Sequence, residues 1–415
     1  MRIAVACIDT RGGVQPYVGL ALGLRRAGHD VRAVAPSDLA PLFEGVNIPV
    51  RALSGSIEEA LRASGGAAER GRLATIRLMS RELPSRLRTW TKEALEACEG
   101  VDVVTGGVGG MVLALSVAEK LGAPFVEAHL QPVGAPTDAY PGVLLPGTPP
   151  WLGRAALRLS HHLSERILWL PFKGQMAKTR EEVLGLHGPP RAAQGQPVLY
   201  GFSRHVVPLP EGGERPRHVT GYWMLPAPPT FRPPPALEAF LAGGRPVVSV
   251  GFGSMSSRDP QRLTALALGA ARLAKVRVVL LSGWGGLKTL ENDDVFCADA
   301  LPHDWLFPRV AAAVHHGGAG TTGAALRAGV PAIVVPFTMD QPFWASRVAA
   351  LGAGPAPISR RWLTEASLAA ALRTAVCDEA MRKRAAELSE KIRSEDGPAA
   401  AAECFGRLAA SLGKT

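Results

Sequence analysis

Short apolar runs alternate with helix-patterned segments in two separate stretches of the chain, and this alternation limits the fold more than any other feature. In the first stretch we predict strands over Arg2–Ile8, Asp30–Ala35, Val101–Thr105 and Pro124–Ala128, and helices over Tyr17–Ala27 and Met111–Leu121. We predict a glycine-containing turn over Thr10–Gly13. In the second we predict strands over Val247–Val250, Val276–Leu281, Ala311–His315 and Pro331–Pro336, and helices over Gln261–Lys275 and Thr321–Ala328. Alternating strands and helices are typical of parallel sheets, so the sequence predicts two α/β units.

A proline-rich segment separates the two stretches. Nine prolines lie between positions 208 and 235. Proline interrupts helices and central strands, so this composition indicates a linker with fixed turns. We therefore predict an N-terminal domain over 1–215, a linker over 216–245, a C-terminal domain over 246–395, and a C-terminal helix over 396–415 that packs back on the N-terminal domain.

The charge and the cysteines exclude several classes of partner. The net charge of +10 would suit nucleic acid, an anionic membrane or a phosphorylated small molecule. The excess is mostly arginine in a chain rich in alanine, glycine and proline, which is typical of a GC-rich genome. No ribonucleoprotein, zinc-finger or helix-turn-helix motif accompanies it, so nucleic acid is not expected. Five widely spaced cysteines without a CxxC pair indicate neither a disulfide framework nor a zinc site.

No segment of the sequence predicts a membrane span. The chain lacks a run of ~18 consecutive apolar residues, and its N-terminus, MRIAVACIDT, lacks the pattern of a signal peptide. We therefore expect a cytoplasmic protein with at most peripheral membrane contact. Residues 64–92 place arginines among apolar residues at helical spacing. They predict either a membrane-surface helix or, as the favoured interpretation, a solvated helix that flanks a cleft.

Neither of the common nucleotide-binding motifs is present. The dinucleotide motif needs GxGxxG after the first strand, where this chain has Thr10-Arg11-Gly12-Gly13. The P-loop needs GxxxxGK[ST], but in the nearest segment Leu287 occupies the place of the second glycine. Both absences disfavour a dehydrogenase and a P-loop enzyme.

The segment 314–323, VHHGGAGTTG, joins a predicted strand to a predicted helix. Its small residues let the backbone approach a ligand closely, and the N–H groups and positive dipole end of the helix favour a diphosphate. His315, at the end of the strand, can add a hydrogen bond or a charge to a phosphate oxygen. The alternative interpretation is a tight turn that binds no ligand.

Three motifs carry a family resemblance. The run LPHDWLFPRV at 301–310, then HHGGAGTTGAALRAGVPAIVVPF, then DQPFWA at 340–345 resembles the donor-binding half of sterol glucosyltransferases. It is also similar to plant UDP-glycosyltransferases and to glycosyltransferases of antibiotic aglycones. Near the N-terminus, RGGVQPY at 11–17 resembles the RGDVQPY motif of the same group. The match covers roughly residues 1–40 and 245–360 and is weak over the region in which this family binds its acceptor.

The resemblance implies a GT-B fold, an α/β architecture of two Rossmann-like domains that face each other across a cleft. It also implies an inverting, metal-independent displacement, and the chain has no evident DxD motif; Asp293-Asp294 is interpreted as a loop. The implied donor site comprises Arg11, Gly12, Ser254, Trp284, Leu301, His303, His315, Gly317, Gly318, Gly320, Thr321, Thr322, Asp340 and Gln341. In that site the glycine-rich turn would hold the diphosphate, and Asp340 and Gln341 would hold the sugar hydroxyls.

The chain departs from the family pattern at the catalytic base. The family has an Asp or His directly after the first glycine of the N-terminal motif, whereas this chain has Gly13, which cannot accept a proton. The role could pass to another group in the acceptor-binding half, for which the candidates are Asp9, His129, Asp138, His161 and His162. Asp9 is the nearest in sequence. An acceptor that needs no base and an inactive homologue are the alternatives.

Together these features predict an inverting glycosyltransferase that moves a hexose, preferably glucose, from a UDP-sugar to a hydroxyl of a hydrophobic acceptor. The acceptor would be a sterol-like molecule, a polyketide or another natural-product aglycone. We expect no metal or other cofactor, and a monomer or homodimer whose partners are the nucleotide sugar and the acceptor. A dTDP-deoxysugar donor, a nucleotide-sugar epimerase of the same fold and a non-catalytic partner protein remain alternatives.

Overall fold

A computed structural model describes residues 1–63, 72–191, 193–209, 215–253, 259–283 and 292–414. These residues form two compact units. The first unit comprises residues 1–60, 73–225 and the segment from Glu395 onward, and the second comprises mainly Pro226–Ser394. The chain thus returns to the first unit near its C-terminus.

The first unit contains a parallel sheet of seven strands. They are β1 (Arg2–Ala6), β2 (Asp30–Pro36), β3 (Val50–Leu53), β4 (Val103–Gly106), β5 (Phe125–His129), β6 (Val198–Tyr200) and β7 (Arg217–Val219). Their order in the sheet is β3-β2-β1-β4-β5-β6-β7. The helices are α1 (Arg11–Arg26), α2 (Pro41–Glu44), α3 (Ile57–Ala63), α4 (Arg72–Cys98), α5 (Val108–Leu121), α6 (Arg154–Trp169) and α7 (Lys173–Thr179).

The second unit contains a parallel sheet of five strands. They are β8 (Val247–Gly251), β9 (Arg277–Leu281), β10 (Val295–Ala298), β11 (Ala312–His315) and β12 (Ala332–Val334), in the order β10-β9-β8-β11-β12. The helices are α8 (Pro235–Ala242), α9 (Pro260–Ala274), α10 (His303–Leu306), α11 (Ala319–Ala328), α12 (Gln341–Ala350), α13 (Glu365–Cys377) and α14 (Glu379–Arg393). Buried strands alternate with helices, as the sequence predicts.

The two sheets share the same strand order around their first strand. In the first sheet β1 lies between β2 and β4, and in the second β8 lies between β9 and β11. The direction of winding therefore reverses between β1 and β4 and again between β8 and β11. Ala6 pairs with Gly106 at the first reversal, and Gly251 pairs with His315 at the second. Open parallel sheets bind ligands at the carboxyl ends of their strands at such a reversal, so these two edges are where each unit offers a site.

The last helix, α15 (Gly397–Ser411), packs on α1 in the first unit. A Cβ atom at Gly23 of α1 would lie 2.5 Å from the Cβ atom of Pro398. One turn earlier, a Cβ atom at Gly19 would lie 2.8 Å from the carbonyl oxygens of Trp223 and Met224. The two glycines therefore let the chain lie directly against this face of α1.

Helix α4 contains the described part of the arginine-rich segment predicted over 64–92; residues 64–71 lie outside the described ranges. Leu87, Trp90 and Ala94 of α4 are buried in the core of the first unit, beside strand residues such as Val104. Leu87 and Trp90, in the described part of this segment, thus serve the core. In the part of the chain that the structure describes, no helix combines the length and the apolar character needed to cross a bilayer.

Two local predictions differ from the structure. The predicted turn over Thr10–Gly13 is wrong, because α1 begins at Arg11 and both following glycines lie in its first turn. Glycine disfavours helices, but the buried face of α1, which includes Val14 and Tyr17, stabilises the helix. Within the range predicted as a linker, residues 217–219 form β7 and residues 235–242 form α8, whose one proline, Pro235, is its first residue, where helices tolerate proline.

Candidate functional site

The turn between β11 and α11 forms the carboxyl edge of the second sheet at its reversal. His315 ends β11, and α11 begins at Ala319. Gly317 has a φ of 92°, and a Cβ atom there would lie 2.7 Å from Cγ1 of Val334. Only glycine combines this left-handed backbone with this close approach. The sequence therefore fixes the path of the turn.

His315 presents a hydrogen-bond donor that nothing in the described protein uses. The backbone N–H of Gly317 donates to Nδ1 of His315 at 3.0 Å. Since Nδ1 accepts, the neutral ring carries its proton on Nε2. Nε2 is buried and has no hydrogen-bond partner among the described residues. Because buried donors are seldom left unpaired, this atom marks the place of a ligand acceptor.

The imidazole of His315 is neutral. Burial, followed by the neighbouring charges of His316 and His303, lowers the pKa of His315 to about 3. The same burial and His303 lower the pKa of His316 to about 4. From the sequence, His315 could offer a phosphate either a hydrogen bond or a positive charge. Because the ring is neutral, the structure favours the hydrogen bond.

These two pKa values predict that acid destabilises the protein. The folded pKa of each histidine lies below its unfolded value, so stability is fully present above about pH 6.5 and is lost as the pH falls. From about pH 7.5 to about pH 5.5, each buried histidine should remove about 1.4 kcal/mol from the free energy of unfolding. Urea titrations at both pH values measure the loss. The variant His316→Gln should lose about 1.4 kcal/mol less than the wild type, and an equal loss would contradict the burial of a neutral His316.

The first turn of α11 supplies further donors beside His315. Gly318 is the N-cap residue, and Gly318, Gly320 and Thr321 are partly exposed. The first N–H groups of a helix have no partner within the helix, and they lie at the positive end of its dipole. The hydroxyl of Thr322 is buried without a hydrogen-bond partner among the described residues. The turn therefore combines backbone donors with three buried side-chain atoms that lack a partner among the described residues, namely Nε2 of His315, Nδ1 of His316 and Oγ1 of Thr322.

His316 also belongs to this site, although the sequence analysis did not assign it there. Its ring lies beside Gly253 in the turn after β8, where a Cβ atom would meet Cε1 at 3.0 Å, and beside Gly318, where a Cβ atom would meet Nε2 at 2.6 Å. The pair of adjacent histidines in the motif could have indicated this, because two successive residues at the end of a strand place their rings on opposite sides. Ser254 and Trp284, which the sequence predicts in the donor site, lie outside the described residues.

Asp340 and Gln341 stand at the start of α12, after the neighbouring strand β12. Oδ2 of Asp340 accepts a hydrogen bond from the indole N–H of Trp344 at 2.9 Å. Oε1 of Gln341 accepts from the backbone N–H groups of Phe337 and Thr338 at 2.8 and 3.1 Å. The amide oxygen of Gln341 thus stabilises the turn that precedes α12. Binding of sugar hydroxyls by this pair stays a prediction.

Two further donor-site candidates lie around α10. His303 is the first residue of α10, and its ring stacks on Phe307 with 4.5 Å between the ring centroids. Leu301 precedes the helix and is partly buried. The effect of His303 on the pKa of His315 places it near the glycine-rich turn. The second unit therefore gathers Leu301, His303 and His315 at one edge of its sheet.

In the first unit, Asp9 lies in the turn after β1, and its side chain is exposed. Oδ1 accepts the backbone N–H of Thr10 at 2.6 Å. A Cβ atom at Gly13 would lie 2.2 Å from both Cγ and Oδ2 of Asp9. The carboxylate of Asp9 therefore fills the space into which a side chain at position 13 would project. Burial and then Asp9 raise the pKa of the Cys7 thiol, which stays protonated.

Arg11 and Gly12 begin α1, directly after this turn, and both are exposed. A Cβ atom at Gly12 would meet no atom within 4 Å, so the surface in front of the first turn of α1 is open. The structure thus brings Asp9, Arg11 and Gly12 together at one end of β1.

His129 belongs to a buried ion-pair network instead of an open surface. Its Nε2 lies 2.9 Å from Oε2 of Glu127, and Oε1 of Glu127 accepts from Arg215 at 2.5 Å. Burial alone would raise the pKa of Glu127, but the hydrogen bond and charge of His129, together with Arg215, lower it to about 2. His129 therefore serves the interior of the first unit.

The other candidate bases are similarly engaged or lie elsewhere. Oδ2 of Asp138 accepts from Nε of Arg154 at 2.5 Å, and this contact lowers the pKa of Asp138. His161 is buried, and its Nε2 lies 2.9 Å from the carbonyl oxygen of Tyr140. His162 is exposed on α6. Of the five candidates, Asp9 alone is both exposed and at the carboxyl end of a strand.

The acidic pair Asp293-Asp294 is the sequence feature nearest to a metal motif. Asp294 forms an ion pair with Arg245, and its backbone N–H donates to Oδ1 of Asn292 at 2.9 Å. Within the described ranges, no group of three or more His, Cys, Asp or Glu side chains is placed to hold a metal ion. Metal independence stays a prediction.

Sequence comparison relates the chain to glycosyltransferases. The model of the erythromycin biosynthesis protein CIII-like C-terminal domain matches residues 285–408. Sterol 3-beta-glucosyltransferases of Debaryomyces hansenii and Eremothecium gossypii are 34% and 35% identical over 94% and 95% of this chain. The chain spans only 26% and 33% of the length of these two relatives.

Solved structures show the fold. The glycosyltransferase VinC, solved in complex with dTDP, matches with a TM-score of 0.69 and 19% identity over 100% of both chains. The glycosyltransferase SnogD from Streptomyces nogalater matches with a TM-score of 0.65 and 23% identity over 99% of both chains. The chain has the GT-B fold. The predicted fold class and the predicted resemblance to sterol and antibiotic-aglycone glycosyltransferases are thereby confirmed.

Proposed function

We propose that this protein of GT-B fold is an inverting glycosyltransferase that moves glucose from UDP-glucose to a hydroxyl of an apolar acceptor. The observation that carries the proposal is the unpaired, buried Nε2–H of His315 beside the N-terminus of α11. A hydrogen-bond donor beside a helix N-terminus suits a diphosphate, because the free N–H groups and the positive end of the helix dipole favour an anion.

The second unit would bind the donor. His315 and the N–H groups of Gly318, Gly320 and Thr321 would hold the diphosphate, with the hydroxyl of Thr322 beside them. Negative charge grows on the diphosphate as it leaves the anomeric carbon. Donors that are already fixed in place stabilise this charge without reorganising, which is the main electrostatic contribution to such a step.

Asp9 in the first unit would act as the general base. The acceptor oxygen forms a bond to the anomeric carbon while the bond from that carbon to the diphosphate oxygen breaks. The hydroxyl proton passes to Asp9, whose carboxylate fills the space next to Gly13. A single displacement of this kind inverts the anomeric centre. The carboxylate thus supplies from position 9 what the glycine at position 13 lacks.

The identity of the donor rests on two indications. Asp340 and Gln341 suit a sugar with its hydroxyl groups intact, and the names of the sterol 3-beta-glucosyltransferases specify glucose. VinC and the Streptomyces sp. SF2575 glycosyltransferase SsfS6 were both solved with thymidine diphosphate (dTDP). A dTDP-sugar is therefore the second candidate donor.

The acceptor would be a sterol-like or polyketide-like molecule. This class is supported by the names of the sterol 3-beta-glucosyltransferases, of the spinosyn forosaminyltransferase SpnP and of the calicheamicin glycosyltransferase CalG4. The purified protein should be incubated with UDP-glucose or dTDP-glucose and a panel of sterols and polyketide aglycones, with mass spectrometry as the readout. A hexose adduct supports the proposal. Conversion of the donor sugar alone would indicate an epimerase, and no reaction of any donor would indicate a non-catalytic homologue.

The variant Asp340→Asn is expected to separate sugar recognition from nucleotide binding. UDP carries no hexose, so its Kd should change by less than about twofold, while kcat/KM with UDP-glucose should fall by about 10- to 100-fold. Calorimetry with UDP and initial rates with UDP-glucose measure the two effects. An equal loss of UDP affinity would show that Asp340, through its hydrogen bond to Trp344, serves the structure of the turn instead.

A further inference from the structure

Helix α6 distributes its polar and apolar side chains in an unusual way. Its buried residues include Ser160, His161 and Ser164. In contrast, Leu159 and Leu163 are 56% and 40% exposed. An amphipathic helix normally buries its leucines and exposes its serines. The core of the first unit therefore buries Leu157 of α6 but leaves Leu159 and Leu163 uncovered.

This uncovered apolar surface continues beyond both ends of α6. Trp151 and Leu152 are 82% and 50% exposed, and Leu170 is 72% exposed. Leu159, Leu163 and Leu170 follow one another at spacings of four and seven residues, which places them along one side of the helix, and Trp151 and Leu152 stand in the short 3-10 turn before it. We call Trp151 and these four leucines the leucine ridge. It contains five of the eight large apolar side chains that are exposed in the described chain.

Cationic side chains accompany the leucine ridge. Residues 151–178 contain five arginines and lysines but only one acidic residue, Glu165. Arg158 and Arg166 are exposed on α6 itself. Arg154 is also exposed and pairs with Asp138 from outside this segment. The surface around the ridge is therefore positively charged.

We propose that the leucine ridge docks the protein on an anionic lipid surface. Exposed leucines and a tryptophan beside arginines suit the boundary between headgroups and acyl chains, where apolar side chains insert and arginines reach phosphate groups. Charge complementarity favours this partner over a second copy of the chain, because two copies that each carry a net charge of +10 repel each other. The inference does not depend on the glycosyltransferase activity.

The test is co-sedimentation with lipid vesicles. The wild type should bind vesicles of phosphatidylcholine with about 30 mol% phosphatidylserine, and should bind pure phosphatidylcholine more weakly. The triple variant Leu159→Ser, Leu163→Ser and Leu170→Ser should bind the anionic vesicles at least about tenfold more weakly, since each leucine loses its burial in lipid. The double variant Arg158→Gln and Arg166→Gln should weaken binding to the anionic vesicles alone.

The matched control is Leu273→Ser with Trp362→Ser. Both side chains are large and exposed, at 54% and 66%, but lie outside the ridge, so this variant should bind like the wild type. Absence of wild-type binding, or equal binding by the triple variant, would overturn the proposal. Light scattering that shows a dimer abolished by the triple variant would assign the ridge to a second copy instead. If circular dichroism shows that the triple variant is unfolded, Trp151→Ser alone decides, and wild-type binding by it overturns the proposal.

Discussion

Replacing Asp9 by asparagine is expected to lower kcat by about two to four orders of magnitude, the usual contribution of a general base. Asparagine keeps the size of the side chain and can still accept the N–H of Thr10, but it cannot take a proton from the acceptor. The affinity for UDP should change by less than about twofold, because Asp9 is assigned to the acceptor. Initial rates with both substrates saturating measure the effect.

Asp30→Asn is the matched control for this variant. Asp30 is exposed and begins β2, so it lies at the amino end of a strand, at the opposite edge of the sheet from Asp9. Its loss should leave kcat unchanged. A normal rate in Asp9→Asn would remove Asp9 as the base and would favour an acceptor that reacts without one.

Moving the carboxylate tests the relation between positions 9 and 13. Gly13→Asp alone should not raise the rate, because its Cβ atom would lie 2.2 Å from the carboxylate of Asp9 and one side chain must move away. Combined with Asp9→Ala, the same substitution has free space and should recover part of the lost rate. If the combined variant is as slow as Asp9→Asn, a carboxylate at position 13 does not take the place of the carboxylate of Asp9, and the proposed relation between the two positions is contradicted.

Replacing His315 by alanine is expected to weaken UDP binding by about 10- to 100-fold. The substitution removes one hydrogen bond to a charged group, which contributes about 1.5–3 kcal/mol, and each tenfold change in Kd corresponds to about 1.4 kcal/mol. Because His315 is neutral, the loss should be similar at about pH 6 and about pH 8. Calorimetry with UDP measures the affinity.

His315→Gln is the informative companion. The glutamine amide can place an N–H near the position of Nε2, so this variant should bind UDP more tightly than His315→Ala. Equal weakening in both variants, with a lowered melting temperature, would indicate that His315 only supports the turn at Gly317. Unchanged UDP affinity in the alanine variant would contradict the placement of the diphosphate.

The sheets and the glycine-rich turn could be predicted because they are local in sequence. Buried parallel strands appear as continuous apolar runs, so the prediction of Ala311–His315 lies within one residue of β11 (Ala312–His315). The glycines of the turn are required by its backbone, as Gly317 shows with its left-handed φ. The sequence therefore located the turn and the histidine that ends the strand.

The remaining features depend on packing, which the local pattern does not contain. The charge state of His315 follows from its burial and from the N–H of Gly317. The contact between Asp9 and Gly13 exists because α1 begins earlier than two glycines suggest. The outward leucines of α6 follow from the burial of Ser160 and Ser164, whose hydroxyls accept the backbone N–H groups of residues 142 and 144.

The stereochemistry of the product tests the central claim most directly. The protein should be incubated with α-linked UDP-glucose and a sterol, and the product analysed by nuclear magnetic resonance together with the amount of UDP released. The proposed single displacement predicts a β-linked glucoside and one UDP for each glucoside formed. An α-linked glucoside, or no glucoside from any acceptor with a folded protein that binds UDP, would contradict an inverting transfer.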